Sequence, residues 1–144
     1  EPQWHERWIL TPHPGEAARL LGCTTAEIQA DRLSAVQALQ SRYGGVAVLK
    51  GTGSLIADGV HCRLSAAGNP GMASGGMGDV LTGVIGGLCA QGLPLADAAA
   101  AGVLLHGMAG DAAALLLFTF HSLIPRRRLH IIVLRQIDHL LLDD

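Results

Sequence analysis

The chain has 144 residues, 49% of them hydrophobic and 15% charged, with a formal net charge of -2. That length and apolarity suit one domain with a real core and argue against disorder over most of the chain. The charge balance gives no nucleic-acid footprint, because the one basic run, Arg126-Arg127-Arg128, is short and reads as a solvated turn.

In chain order, Trp8-Ile9-Leu10-Thr11 reads as a short buried strand. Pro14 can open a helix through Leu20-Leu21, with Glu16 in its first turn and Gly22 as its stop. Thr24-Thr25-Ala26-Glu27 has capping-box spacing, and Asp31 can cap the helix after that. In this third helix Leu33, Val36 and Leu39, with Ala35 and Ala38, give one apolar face, and Gly44-Gly45 ends it. Val46-Ala47-Val48-Leu49 is brief, β-branched and wholly apolar, as expected of a central strand covered on both faces. Leu55-Ile56-Ala57 and Val60–Leu64 form a hairpin pattern around Asp58-Gly59. A glycine-dense loop, Asn69 to Asp79, then runs into an apolar helix over Val80 to Ala90, where Leu81, Ile85 and Leu88 recur at helical spacing. A second helix is expected from about Pro94 to Ala114. From Leu115 the sequence is apolar without clear period, and Leu129–Leu142 fits a strand or an amphipathic helix. The order indicates an α/β protein with a mostly parallel sheet and flanking helices. In such sheets ligands gather at the carboxyl ends of the strands, so Thr11–Glu16, Lys50–Ser54 and Asn69–Asp79 could share one rim.

Cys23, Cys62 and Cys89 are odd in number and widely spaced, which favours buried thiols in a reducing compartment over disulfides or zinc. The start, Glu1-Pro2-Gln3-Trp4-His5, lacks the apolar core of a signal peptide. No membrane span is expected in Val80–Leu117, because Gln91, Pro94, Asp97, His106 and Asp111 interrupt it.

The glycine loop carries the strongest chemical signal. Five glycines fall in the eleven residues Gly68 to Gly78, more than one turn requires. Glycines let backbone N–H groups converge on one point, and a helix start adds unpaired donors, which together suit a phosphate. Asp79 beside that cradle suits deprotonation of a hydroxyl as a phosphoryl group arrives. The N–H groups of Gly76, Met77 and Gly78 would stabilise the transferred charge. Lys50 is the sole lysine of the chain and precedes Gly51-Thr52-Gly53-Ser54 at a strand end. That placement suits nucleotide phosphates, although a plain turn with a surface lysine fits the spacing equally well. His13 stands between Pro12 and Pro14, which fix its backbone. A lone histidine is more often structural. The remaining histidines show no metal-ligand spacing, so no protein-borne metal site is expected. His106 and Asp111 read as packing or helix-end residues, and Asp97 as a first-turn charge.

Thr11-Pro12-His13-Pro14-Gly15-Glu16-Ala17-Ala18-Arg19-Leu20-Leu21-Gly22, then Val48-Leu49-Lys50-Gly51-Thr52-Gly53-Ser54, then Asn69–Gly83 resemble the carboxy-terminal half of the ADP-dependent NAD(P)H-hydrate dehydratases. These are the carbohydrate-kinase-like domains of bifunctional NAD(P)H-hydrate repair enzymes, and the likeness covers about Ile9 to Asp111. The resemblance implies an incomplete ribokinase-like fold. It implies a lyase that dehydrates S-NADHX and S-NADPHX to NADH and NADPH while ADP becomes AMP and phosphate. It carries His13 and Asp79 onto the hydrated dinucleotide, and Lys50, Gly51, Thr52, Gly53, Ser54 and Gly78 onto ADP or ATP. It further implies Mg²⁺, a cytoplasmic homo-oligomer, no nucleic-acid or membrane partner, and an upstream epimerase domain in the full-length protein. The residues also leave open a ribokinase-like kinase of a thiazole or pyrimidine alcohol, and a non-catalytic nucleotide-binding fragment.

Overall fold

The computed structural model describes residues 3–123. Their order is β1 (Ile9–Leu10), α1 (Pro14–Leu21), α2 (Thr25–Ala30), α3 (Arg32–Tyr43), β2 (Val46–Leu49), β3 (Ser54–Ala57), β4 (Cys62–Ser65), a 3-10 turn (Pro70–Met72), α4 (Met77–Ala90) and α5 (Leu95–Leu123). Arg126-Arg127-Arg128 and Leu129–Leu142 lie outside the described residues.

The helix starts follow their capping chemistry. His13 caps α1: its imidazole accepts from the Gly15 and Glu16 amides, while the Glu16 carboxylate accepts from the His13 amide. Thr24 and Glu27 make the same reciprocal pair at α2. The Asp31 carboxylate accepts from the Ser34 amide at α3. Gly22, in the left-handed region, closes α1.

The sheet runs β1-β2-β3-β4. β1 and β2 are parallel, whereas β2–β3 and β3–β4 are antiparallel, so the described sheet is mixed rather than mostly parallel. Connection length decides this. Only Lys50–Gly53 joins β2 to β3, and a parallel crossover needs about a dozen residues. β4 begins at Cys62 and not at Val60, because the Asp58 carboxylate takes the Val60 and His61 amides for the turn, at 2.8 and 2.6 Å.

All four residues of β2 are buried, and they divide by the strand's two-residue period. Ala47 and Leu49 pack with Ala17, Ala18, Ile28, Ala35, Val36 and Leu39 from α1–α3. Val46 and Val48 pack with Leu81, Ile85, Ala99 and Val103 from α4 and α5. Helices thus cover both faces of the strand. Leu33 and Ala38, expected on the core face of α3, are exposed. At 3.6 residues per turn, each stands roughly 110° away from the direction shared by Ala35, Val36 and Leu39. The thiols also differ from expectation: Cys62 is exposed, and Cys23 and Cys89 are only partly buried.

α4 starts at Met77, three residues before the expected Val80, so Asp79 lies in its first turn. α5 runs on past the expected end at Ala114 to Leu123. No glycine or proline stands between Gly110 and Leu123, and alanine and leucine propagate a helix once it is nucleated. Asp97, His106 and Asp111 therefore do not break it. By length and composition Leu95–Thr119 is apolar enough to cross a membrane, with mean hydropathy 1.6. Its Ala98, Ala99 and Val103 are buried, and its Leu104, Leu105 and Met108 are exposed. The chain divides into Glu1–Asp111, which holds the sheet, and Ala112–Asp144. The described residues of the second unit continue α5, with Leu115, Leu116, Leu117 and Phe118 exposed.

Candidate active site

The parallel pair β1 and β2 ends side by side, so the segments after them emerge together. The Lys50 amide donates to the Pro12 carbonyl at 2.9 Å, extending the pairing one step beyond the strands. From there the Lys50 side chain reaches Glu16 of α1, with Nζ 3.7 Å from the carboxylate. The same Nζ lies 2.9 Å from where a Cβ on Gly78 would be. A second link joins Thr11 and Thr82, whose hydroxyls are 3.4 Å apart. Residues distant in sequence, from the ends of β1 and β2 and the start of α4, therefore meet around one ammonium.

Glu16 holds two roles at once. Its carboxylate accepts from the His13 amide at 2.7 Å and pairs with Lys50. Partial burial pushes its pKa up, but the His13 N–H and the charges of Lys50 and Arg19 outweigh this and hold it below the ordinary 4.5. His13 Nδ1 is occupied by the cap, accepting from Gly15 and Glu16 at 3.1 and 3.3 Å. A nitrogen that accepts carries no proton, so the neutral ring bears its proton on Nε2, 3.5 Å from the other Glu16 oxygen. The cap, more than the flanking prolines, sets the ring. Half of this side chain remains exposed.

The Lys50–Ser54 loop shows Gly51 and Thr52 to solvent, and the Ser54 hydroxyl donates back to the Gly51 carbonyl at 3.3 Å. Arg32 carries no motif in the sequence, and its loop partners lie far along the chain. Its guanidinium nevertheless donates to the carbonyls of Leu49 and Lys50, at 3.3 and 3.4 Å, and to that of Thr52.

The glycine loop is fastened at its front. The Asp111 carboxylate accepts from the Gly68 amide at 2.9 Å and from the Asn69 side-chain amide at 3.0 Å. Both bonds hold the Asp111 pKa below its ordinary value, the Asn69 contribution being the larger. Asn69 in turn caps the 3-10 turn by accepting from Gly71. Gly107 permits the close approach of α5, since a Cβ there would lie 2.7 Å from the Ala67 carbonyl. Asp111 is thus more than a packing residue. An acid within an Ala-rich helix and an Asn-Pro-Gly segment were its only marks in the sequence.

At the far end of the loop Gly76 caps α4 with φ +83° and no side-chain cap. Its carbonyl accepts from the Asp79 and Val80 amides at 3.0 and 3.1 Å. The Met77 amide donates to the Ser74 carbonyl at 3.4 Å, while those of Gly76 and Gly78 have no partner among the described residues. The Asp79 carboxylate is exposed and makes no side-chain hydrogen bond among those residues. Among the described residues no three His, Cys, Asp or Glu side chains group as a metal site. A Mg²⁺ ion fits here only with nucleotide phosphates and water supplying most of its oxygens, the manner usual for that ion. Asp79 is the loop's one candidate carboxylate for it.

The carbohydrate-kinase-type family described as NAD(P)H-hydrate dehydratase matches residues 1–123, beyond the Ile9–Asp111 stretch that bears the motifs. A bifunctional NAD(P)H-hydrate repair enzyme of Vibrio cholerae is 59% identical over 110 residues, covering 76% of this chain and 22% of that protein. An ADP-dependent (S)-NAD(P)H-hydrate dehydratase of Neisseria meningitidis is 52% identical over 104 residues, covering 72% of this chain and 35% of that protein. The ADP/ATP-dependent NAD(P)H-hydrate dehydratase of Bacillus subtilis, crystallised with ATP and Mg²⁺, superposes with a TM-score of 0.65 at 39% identity. It covers 73% of this chain, which spans 39% of it. A ribokinase-like protein of Enterococcus faecalis gives a TM-score of 0.68 at 36% identity, over 76% of this chain and 37% of that one. The chain spans about a fifth to a third of the curated relatives it matches.

Proposed function

This chain belongs to the NAD(P)H-hydrate dehydratase family, and on that premise we propose that it carries the nucleotide and phosphoryl side of an ADP-dependent dehydratase. The substrates are S-NADHX and S-NADPHX, whose nicotinamide ring bears an added hydroxyl. The products are NADH or NADPH, AMP and phosphate.

The chemistry asks for two things. A ring hydroxyl is a poor leaving group, and phosphate is a good one. Asp79 takes the hydroxyl proton as the oxygen attacks the terminal phosphorus of ADP, and AMP departs. The ring C–O bond then breaks with phosphate leaving, a neighbouring ring C–H loses its proton, and the ring double bond is restored. The Gly76 and Gly78 amides hold charge on the moving phosphoryl group, and the Met77 amide joins them by exchanging its long 3.4 Å bond to the Ser74 carbonyl for the phosphoryl oxygen. Lys50 and the loop through Ser54 hold the nucleotide phosphates, and His13, presented by its cap, lies against the dinucleotide. Mg²⁺ bound to those phosphates would neutralise part of their charge.

The observation that supports this reading is the position of Lys50, close to both the Glu16 carboxylate and Gly78. One ammonium thereby reaches both the α1 cap and the end of the glycine loop. One assay tests it: hydrated NADH, ADP and Mg²⁺ are incubated with the protein, and recovery of NADH absorbance is followed. The expected result is recovery that Asp79→Asn lowers at least ~10²-fold. Phosphorylation of a thiazole or pyrimidine alcohol without NADH recovery would overturn it in favour of a kinase. Nucleotide binding without turnover would favour a non-catalytic nucleotide-binding role. Full-length relatives called bifunctional support an epimerase domain upstream in the whole protein. A cytoplasmic homo-oligomer is part of the same proposal.

A further inference from the structure

We propose that Arg32 is the positioning residue of the nucleotide loop, turning the amides of Gly51, Thr52 and Gly53 toward an incoming phosphate. The inference rests on the nucleotide reading above for its ligand, and on Arg32's own contacts for its geometry.

Arg32 stands at the first position of α3, beneath the strand-to-loop turn. Its guanidinium gathers the carbonyls of Leu49, Lys50 and Thr52 on one side of the chain. Its Nε is buried and has no partner among the described residues, so the group is drawn into the protein and is not a free surface charge. A planar guanidinium can serve several acceptors in one fixed arrangement, which an ammonium cannot. The amides of Gly51, Thr52 and Gly53 have no partner among the described residues. With the carbonyls of Leu49, Lys50 and Thr52 committed to Arg32, these amides are left to an outside acceptor, and neighbouring backbone donors of this kind can form an anion-binding concavity. The fixed positive charge behind the loop adds to that attraction.

The glycine at position 51 fits the same account. Its φ of +147° is unfavourable for L side chains, and a Cβ there would lie 2.8 Å from an Arg32 nitrogen. The loop backbone is therefore moulded onto the guanidinium. Lys50 is set by the same contact, because its own carbonyl is one of the three acceptors. Arg32 touches neither nucleotide nor dinucleotide; it acts through the loop.

The test compares Arg32→Lys, which keeps the charge, with Arg32→Gln, which removes it, in the 144-residue chain. ADP affinity is measured by calorimetry, loop geometry by the ¹⁵N–¹H resonances of Gly51, Thr52 and Gly53, and folding by Tm. Both variants are expected to bind ADP about tenfold more weakly or worse, with shifted loop resonances and Val46–Leu49 resonances in place. A merely structural charge would be rescued by lysine, and its loss would track Tm. Full ADP affinity in Arg32→Lys, or loop resonances that do not move in either variant, overturns the proposal. If the parent chain binds no ADP, the nucleotide reading fails on its own. The bracing of the loop is then judged by the resonances alone, where a shift upholds it and none refutes it.

Discussion

Lys50 Nζ lies 2.9 Å from the point where a Cβ on Gly78 would sit. Gly78 is helical, in the first turn of α4, so no special backbone angle explains the missing side chain. The space belongs to the lysine. Gly78→Ala is therefore expected to fold, because alanine favours a helix over glycine by about 1 kcal/mol. The flexible ammonium must give way, and ADP affinity should fall while Tm holds or rises. A calorimetric titration beside a melting curve checks both, and unchanged affinity would remove Gly78 and Lys50 from one site.

Glu16 ties that lysine to the α1 cap. Glu16→Gln keeps an acceptor for the His13 amide and loses the charge that pairs with Lys50. Glu16→Ala loses both. The alanine variant should cost about 1 kcal/mol of stability, the usual value of a helix cap, and the glutamine variant clearly less. Urea midpoints at neutral pH would separate the two, and equal losses would show that the ion pair and not the cap matters. The pair itself is over a third exposed at Glu16 and adds little to stability on its own.

Acid should loosen the glycine loop. The Asp111 carboxyl is held below its ordinary 3.8, first by the Asn69 amide and then by the Gly68 N–H. A carboxylate depressed on folding contributes stability above its unfolded pKa and loses it as pH falls through the folded value. The contribution is thus complete at neutral pH and fades only below 3.8. Hydrogen exchange at Gly68, corrected for intrinsic rate, should become faster relative to α3 in that acid range. In Asp111→Asn this acid-induced change should vanish; if it persists, another group fastens the loop.

Leu39 and Leu33 share one predicted face of α3 but not one environment. Leu39 is fully buried, and Leu33 is 50% exposed. Leu39→Ala should destabilise by about 2–5 kcal/mol, from lost transfer energy and an unfilled cavity. Leu33→Ala should stay within roughly 0.5 kcal/mol, as surface changes do. Chemical denaturation of the two variants decides it, and comparable losses would place Leu33 in a buried contact.

By itself the sequence determined the caps of the first three helices and the turn of the hairpin, which depend on neighbours along the chain, although it set the starts of β4 and α4 and the end of α5 a few residues off. Pro14, Glu16 and Gly22 bounded α1, Thr24 with Glu27 and Asp31 began α2 and α3, and Asp58-Gly59 turned the hairpin. Capping and turn bonds span two or three residues, so they can be read locally. The unbroken apolarity of Val46–Leu49 likewise announced a strand covered on both sides, and three motifs announced the family. Tertiary structure alone decided what those motifs do to one another. That β2 and β3 pair side by side was shown only by the fold, although the short Lys50–Gly53 connection already barred a parallel crossover. The escape of Leu33 from the core followed from which side of α3 meets the sheet. Arg32 and Asp111 gave no local signal, because their acceptors and donors lie about 20 and 40 residues away, and long-range geometry is not written in spacing. The same holds for Lys50, solitary in the sequence, whose ammonium in the fold comes within reach of both Glu16 and Gly78.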